Sequence, residues 1–466
     1  MKRLNLKILL VFILIIFILS LTVATIKQNR FRGTHDFFEE YTYEENILDG
    51  TPFEKYNHMI VSKFQRPHVS LIYFLLAPIF FLFRDPIVLI IILTGVLSFS
   101  AIPLFLYAKK ELKNKNLALI TALIYLLSPI MVMNLVFDFH PIILAPLFIF
   151  TGMYQYSQDR KLLAAIIISG IALLQETAII FLISLSIAMI FKDKKFAKKL
   201  AIISFIWLII LVSLVVYIES EYHEEDNRIN QYLFLNKFSY IGATPVEITT
   251  NFVKNPIKYL KIDSEFKKSH LKYVYGQFLL IPLISPLIIS VIPTSVMVIM
   301  SADTDGSIFK ANNILVIAFM IIILLDFLKK RNKKTAKNIL IIILILTMVF
   351  QILIGPIEHK LTQKEADNFA YFNILEPYKE FEAQEYQDAR NYLEGIHGRT
   401  VSTTQEALIH LPRDNYLLLF KFYKSPQKTD NFLIVLSPKA KVELKELIEQ
   451  KGFNKIFENN VIIVLE

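Results

Sequence analysis

The sequence predicts a polytopic α-helical membrane protein that ends in a small α/β domain, and three observations carry that expectation. Apolar residues make up 54% of the 466 positions, with 38 Phe and a mean hydropathy of +0.49. Several apolar runs approach the roughly 20 residues that a helix needs to cross a hydrocarbon core of about 30 Å. The excess of basic residues behind the net charge of +9 lies mostly in short Lys-rich loops beside those runs, as the positive-inside rule expects and unlike a nucleic-acid-binding surface. There are no cysteines, which excludes disulfides, thiolate zinc sites and a cysteine nucleophile.

Taken in order, Lys2, Arg3 and Lys7 precede the apolar run 8–26, which reads as a retained signal anchor leaving a cytosolic N-terminus. Thr34 to Glu54 holds seven carboxylates (Asp36, Glu39, Glu40, Glu44, Glu45, Asp49, Glu54) and no Lys or Arg, so 27–69 is expected to be an external loop. The apolar stretch 70–83 is short and bounded by Pro67 and Pro86. If it crossed fully, the net +3 loop Lys109–Lys115 after span 87–108 would lie outside, so 70–83 is expected to be re-entrant or interfacial. Span 117–136 goes out to Phe137-Asp138-Phe139-His140-Pro141, where the chain reverses and Pro141 starts the next helix. Span 142–157 returns. The 30 residues 162–191, basic at both ends, read as a hairpin of two short helices with Gln175-Glu176-Thr177 at its outer apex.

Five lysines in 192–199 mark another cytosolic loop, and span 200–218 exits into the long polar loop 219–275, with its acidic cluster at 221–226. Pro282, Pro286 and Pro293 break segment 277–300, which parity requires to dip in and return. Asp303 to Gly306 looks external. Span 313–328 enters, the six basic residues of 329–337 are cytosolic, and 338–354 exits. Asp326, near the cytosolic end of its span, is expected to pair with the adjacent lysines. From Pro356 the hydropathy falls. A helix over 385–396, strands at 400–402, 432–436 and 461–465, and an amphipathic helix over 439–451 ended by Gly452 predict an extracytoplasmic α/β domain over 356–466. The membrane domain is then 1–355, with about 9–11 membrane segments including re-entrant ones. Its external loops are 27–69, 137–141, 175–177 and 219–275.

The external loops gather acids and histidines, while the cytosolic loops offer mostly lysine. Ionisable groups at span ends are functional candidates because burying them in hydrocarbon costs several kcal/mol. The asymmetry points to a site at the outer surface, where a lipid-borne substrate meets a soluble one.

The run from His68 to Pro78 (HVSLIYFLLAP), then Phe137-Asp138-Phe139-His140-Pro141, then Gln175-Glu176-Thr177 resembles the membrane family known as domain of unknown function 2079. More distantly, the layout is similar to the GT-C superfamily of polyprenyl-phosphate-sugar-dependent glycosyltransferases. The resemblance implies a GT-C-like fold and aligns Asp36 with an essential first-loop acid and Asp138 with a second. Where the family has Lys and Asp at the apex, this chain has Gln175 and Thr177; Phe37-Phe38 replaces Leu-Gly after the first Asp. The implied activity is inverting transfer of a sugar from a polyprenyl-phosphate donor to an extracytoplasmic acceptor. Asp36 would be the base, and Asp138 would orient the acceptor or help hold a cation, with His140 and Glu176 beside them. Lys63, Arg66, His68 and Arg228 are candidate partners for the lipid phosphate. Carboxylates and water suit magnesium or manganese, bound by Asp36 and Asp138, but no strict ligand spacing is present and a metal is optional. The expected partners are the plasma-membrane bilayer, the lipid-linked sugar and the acceptor, with no nucleic acid. Two other readings stay open: a transporter or lipid flippase with an external acidic site, and a non-catalytic scaffold of GT-C shape.

Overall fold

The computed structural model of the protein describes residues 4–29, 35–50, 69–136, 139–221, 241–242, 245–259, 268, 271–300, 313–354, 383–403, 407, 410–411, 415–419, 432–436, 447–449 and 451–466. Four helices among them are long and apolar enough to cross a membrane, or five if one bent pair counts as a span. The first is α1 (Leu4–Asn29). The acidic loop after it contains a helix, α2 (His35–Leu48), which packs on α3 (Ile72–Leu82). At 11 residues, α3 is about 16 Å long, too short to cross. Next come α4 (Ile87–Phe99) and α5 (Ala101–Leu112), which form one continuous span. Lys113, with φ 48°, turns the chain, and the side chain of Asn114 caps α6 by accepting from Asn116 N at 2.9 Å and Leu117 N at 3.2 Å.

α6 (Lys115–Leu126) and α7 (Pro129–Val136) are bent by 52° at the break before Pro129, whose missing N–H cannot continue a helical ladder. A 3₁₀ turn at Pro141–Leu144 leads into α8 (Ala145–Ser157). The expected hairpin is present as α9 (Lys161–Ser169) and α10 (Ala178–Ile190), with its apex at 174–177. α11 (Lys194–Glu221) follows. In the next loop α12 (Pro245–Lys254) packs Ile248 and Phe252 towards Val296 and Met297 of α13 (Ile292–Met300). As the prolines predict, the chain before α13 is broken, into 3₁₀ turns at Gly276–Phe278, Ile281–Ile284 and Pro286–Ser290.

α14 (Asn313–Leu328) is buried along its whole length, among α5, α7, α8 and α13, and α15 (Lys333–Ile354) leaves from its basic end. Apolar on every side, α14 has the pattern of a helix enclosed by others. Its one carboxylate, Asp326, is 8% exposed and pairs with Lys192 at 2.6 Å and Lys329 at 2.8 Å. Lys329 in turn reaches Glu111 at 3.2 Å. This confirms the sequence expectation for Asp326 and adds Lys192, from the turn between α10 and α11. In that turn Asp193 accepts from Tyr156 at 3.3 Å and pairs with Lys161 at 2.6 Å.

The terminal unit holds α16 (Ala383–Glu394) and a five-stranded mixed sheet in the order β2-β1-β3-β5-β4. β1 (Thr400–Thr403) lies parallel to both β2 (Tyr416–Leu419) and β3 (Phe432–Leu436); β5 (Ile463–Leu465) runs antiparallel to β3 and β4 (Lys455–Glu458). Of the amphipathic helix expected over 439–451, residues 447–449 and 451 are described and helical, and Gly452 follows at φ +68°, the left-handed conformation that glycine adopts at a helix end. The expected boundary at 355–356 falls at the edge of 355–382, outside the described residues. Arg390 Nη1 donates to Asn29 Oδ1 at 2.9 Å and His410 hydrogen-bonds the backbone of Gln28, so the sheet unit is tied to the C-terminal end of α1.

Removing the Asp326 charge strands Lys192 in a buried setting. Asp326→Asn is expected to cost about 3 kcal/mol in detergent unfolding, and Asp326→Leu combined with Lys192→Met to cost less, because the second pair leaves no uncompensated charge.

Candidate functional site

At the end of the bundle opposite the lysine cluster, three segments distant in sequence come together. α2 brings Glu40, Glu44 and Glu45. The turn before the 3₁₀ helix brings Phe139 and His140, and the hairpin apex brings Glu176. Glu40 Oε1 lies 3.5 Å from His140 Nδ1, and the hydroxyl of Tyr73, on α3, donates to Glu40 Oε2. Glu176 Oε2 accepts from the backbone N–H of Val69 at 3.0 Å, and Ser70 Oγ donates to Leu174 O at 2.5 Å, which fastens the start of α3 to the apex.

Local sequence explains each placement. Pro141 opens a 3₁₀ turn and leaves His140 extended at φ −136° and ψ 128°, with its carbonyl accepting from Ile143 N at 3.0 Å. Phe139 beside it is fully buried and faces the ring of Tyr73, which also packs on Tyr43. The buried face of α2 carries Phe37, Tyr43 and Glu44, so this acidic helix owes its form to packing on α3 rather than to a simple apolar stripe.

Of the residues singled out from the sequence, His140 and Glu176 stand at this end of the bundle. Asp36 begins α2, and its side chain lies outside the described residues; so do Lys63, Arg66, His68, Asp138 and Arg228. Among the described residues no three His, Asp or Glu side chains form a group able to hold a metal ion. Sequence reasoning counted Glu40 and Glu44 as two of seven solvated acids; the structure buries Glu44 completely. The available signal was their spacing of four, which puts both on one helix face with Phe37 and Tyr41.

Neither carboxylate oxygen of Glu44 has a hydrogen-bond partner among the described residues. Burial, with the negative charge of Glu40 one turn away, pushes its carboxyl up from an ordinary 4.5 to about 9. Below 4.5 the folded and unfolded chains both hold this proton. Between 4.5 and 9 only the folded chain keeps it, so Glu44 drains stability progressively as the pH rises through that window. Glu44→Gln is expected to match the unsubstituted protein at pH 4 and to exceed it at pH 8 by on the order of 2 kcal/mol, read from thermal unfolding in detergent.

A search of curated proteins finds no match. Among solved structures, the chain is similar to ArnT from Cupriavidus metallidurans bound to undecaprenyl phosphate, with a TM-score of 0.55, 9% identity, and 100% of this chain and 98% of that one covered. It also matches the oligosaccharyltransferase AglB from Archaeoglobus fulgidus in complex with an inhibitory peptide and a dolichol-phosphate, at a TM-score of 0.43 and 12% identity, over 91% of this chain and 69% of that one. The first of these likenesses shows a GT-C-like fold over the whole length. Residues 42–452 match the family described as "Predicted membrane protein (DUF2079)", so this multi-pass membrane protein belongs to that family.

Proposed function

We propose that the protein is an integral membrane glycosyltransferase of GT-C type, moving a sugar from a polyprenyl-phosphate donor onto an extracytoplasmic acceptor. The observation that carries this reading is the convergence of α2, the His140 turn and the Glu176 apex at one end of a GT-C-like bundle. Polar groups from separate loops meet there, where a lipid headgroup lies within reach of a soluble acceptor. The lysine-rich end is then cytosolic, and the sheet unit, tied to the other end of α1, faces outward with the site.

In this reading the acceptor hydroxyl loses its proton to Asp36 as its oxygen attacks the anomeric carbon. The bond from that carbon to the phosphate oxygen breaks, its electron pair stays with the lipid phosphate, and the configuration inverts. A carboxylate suits that task if its surroundings raise its pKa or hold it by a tight hydrogen bond. Asp138 orients the acceptor. Lys63, Arg66, His68 and Arg228 supply positive charge or donors to the phosphate, with His140 and Glu176 beside them. A magnesium or manganese ion held by Asp36 and Asp138 would stabilise charge on the leaving phosphate.

Membranes containing the protein are to be supplied with radiolabelled hexoses and pentoses carried on undecaprenyl phosphate. Asp36→Asn and Asp138→Asn are each expected to lower sugar transfer at least about 100-fold at unchanged expression. Transfer that is indifferent to both substitutions would overturn the reading. Solute uptake into proteoliposomes, equally indifferent, would assign the protein to transport.

A further inference from the structure

We propose that Glu40 is a positioning residue: held by Tyr73 through one oxygen, it fixes the imidazole of His140 through the other, so that His140 meets the phosphate of the lipid-borne donor in one orientation. The phosphate part rests on the function proposed above; the Glu40–His140 part does not.

Oε2 of Glu40 accepts from the Tyr73 hydroxyl, and Oε1 stands at ion-pair distance, 3.5 Å, from His140 Nδ1. A carboxylate held in this way is poorly placed to take a proton from an acceptor hydroxyl, and its chemistry is that of an orienter. A carboxylate on one ring nitrogen selects the tautomer and directs the other nitrogen, here Nε2, to whatever His140 addresses. The supports are rigid. Tyr73 is 1% exposed, and its ring packs against Tyr43 with centroids 4.9 Å apart and against Phe139 at 6.2 Å. One side chain therefore anchors both partners: it bonds Glu40 directly and holds the residue that precedes His140. The main chain of His140 is set independently by the 3₁₀ turn that Pro141 begins.

Glu44 completes the arrangement. Two carboxylates one turn apart cannot both ionise cheaply in a buried setting, and Glu44, the fully buried member, is the one that keeps its proton. Glu40 is the member of the pair that stands beside His140.

The test is a double-substitution cycle read by binding of undecaprenyl phosphate to the purified full-length protein in nanodiscs. Glu40→Gln and His140→Asn are each expected to weaken binding about tenfold, and the double variant to be no weaker than either single one. Glu40→Asp is expected to recover part of the loss. Losses that multiply to about a hundredfold in the double variant would overturn the proposal, as would a Glu40→Gln protein that binds normally while His140→Asn does not. A second measurement separates positioning from general structure: the ¹⁵N spectrum of histidine-labelled protein at fixed pH, with His140 assigned by its loss in His140→Asn. Glu40→Gln, which removes the carboxylate charge beside the ring, is expected to shift the Nδ1 resonance at an unchanged unfolding temperature; an unchanged resonance would overturn the role of Glu40. If the unsubstituted protein does not bind undecaprenyl phosphate, the donor assignment fails, and the ¹⁵N result still decides whether Glu40 fixes His140.

Discussion

One buried carboxylate sets the frame of the bundle. α14 is apolar all round, and hydrophobic burial has no direction, so packing alone leaves the axial position of such a helix weakly determined. Asp326 removes that freedom, because a charge this deep is tolerable only where cations meet it. Lys192 comes from the turn between α10 and α11, and Lys329 follows α14 and reaches Glu111 at the end of α5. The ends of α5, α10, α11 and α14 are thereby registered against one side chain. The neighbouring Lys161–Asp193 pair ties α9 to the same turn.

The two ends handle acids differently. At the lysine-rich end carboxylates are met by lysines, which is the arrangement of a structural clamp. At the opposite end three of the glutamates are accommodated in three ways. Glu44 retains its proton, Glu40 takes a tyrosine hydroxyl and an imidazole, and Glu176 accepts a backbone N–H across two segments. Arrangements of that kind keep polar groups in partly buried places at the expense of stability, and they are typical of surfaces shaped for a ligand.

Much of this was readable from the chain, and the failures have physical causes. The long spans over 8–26, 87–108, 200–218 and 338–354, the hairpin apex, the proline-broken segment and the pairing of Asp326 follow from hydropathy, charge and ring geometry, which act locally, whereas the expected spans 142–157 and 313–328 are shorter helices of 13 and 16 residues. α2 lies in a stretch that reads from sequence as an acidic loop. Its 14 residues include five acids, and the helix becomes favourable only when Phe37, Tyr41 and Tyr43 find α3, which no local pattern announces. The significance of Glu40 and Glu44 was lost with it. Two strands were missed for a related reason. β4 is an edge strand whose residues are mostly exposed, so it lacks an apolar signature, and β2, four residues long, is defined by its parallel pairing with β1.

Among the described residues, the interior of the bundle is braced by uncharged groups. Between residues 271 and 291 the backbone departs from regular helix, with Leu279 and Leu280 both left-handed at φ 56°. Within a membrane such a backbone persists only where protein covers it or water reaches it. Here it is pinned by neutral cross-links: Gln277, fully buried, accepts from Ser128 and donates to Thr347, each at 3.2 Å, while Tyr275 donates to Ser295. These bonds join the bend of the α6–α7 pair to α15 and carry no charge. A path for ions or protons is built from titratable groups in series, and a brace is built from amides and hydroxyls that satisfy one another, as these do. Braced in this way, the bundle can hold the Glu40–His140 end in one geometry, which a site built on precise placement requires.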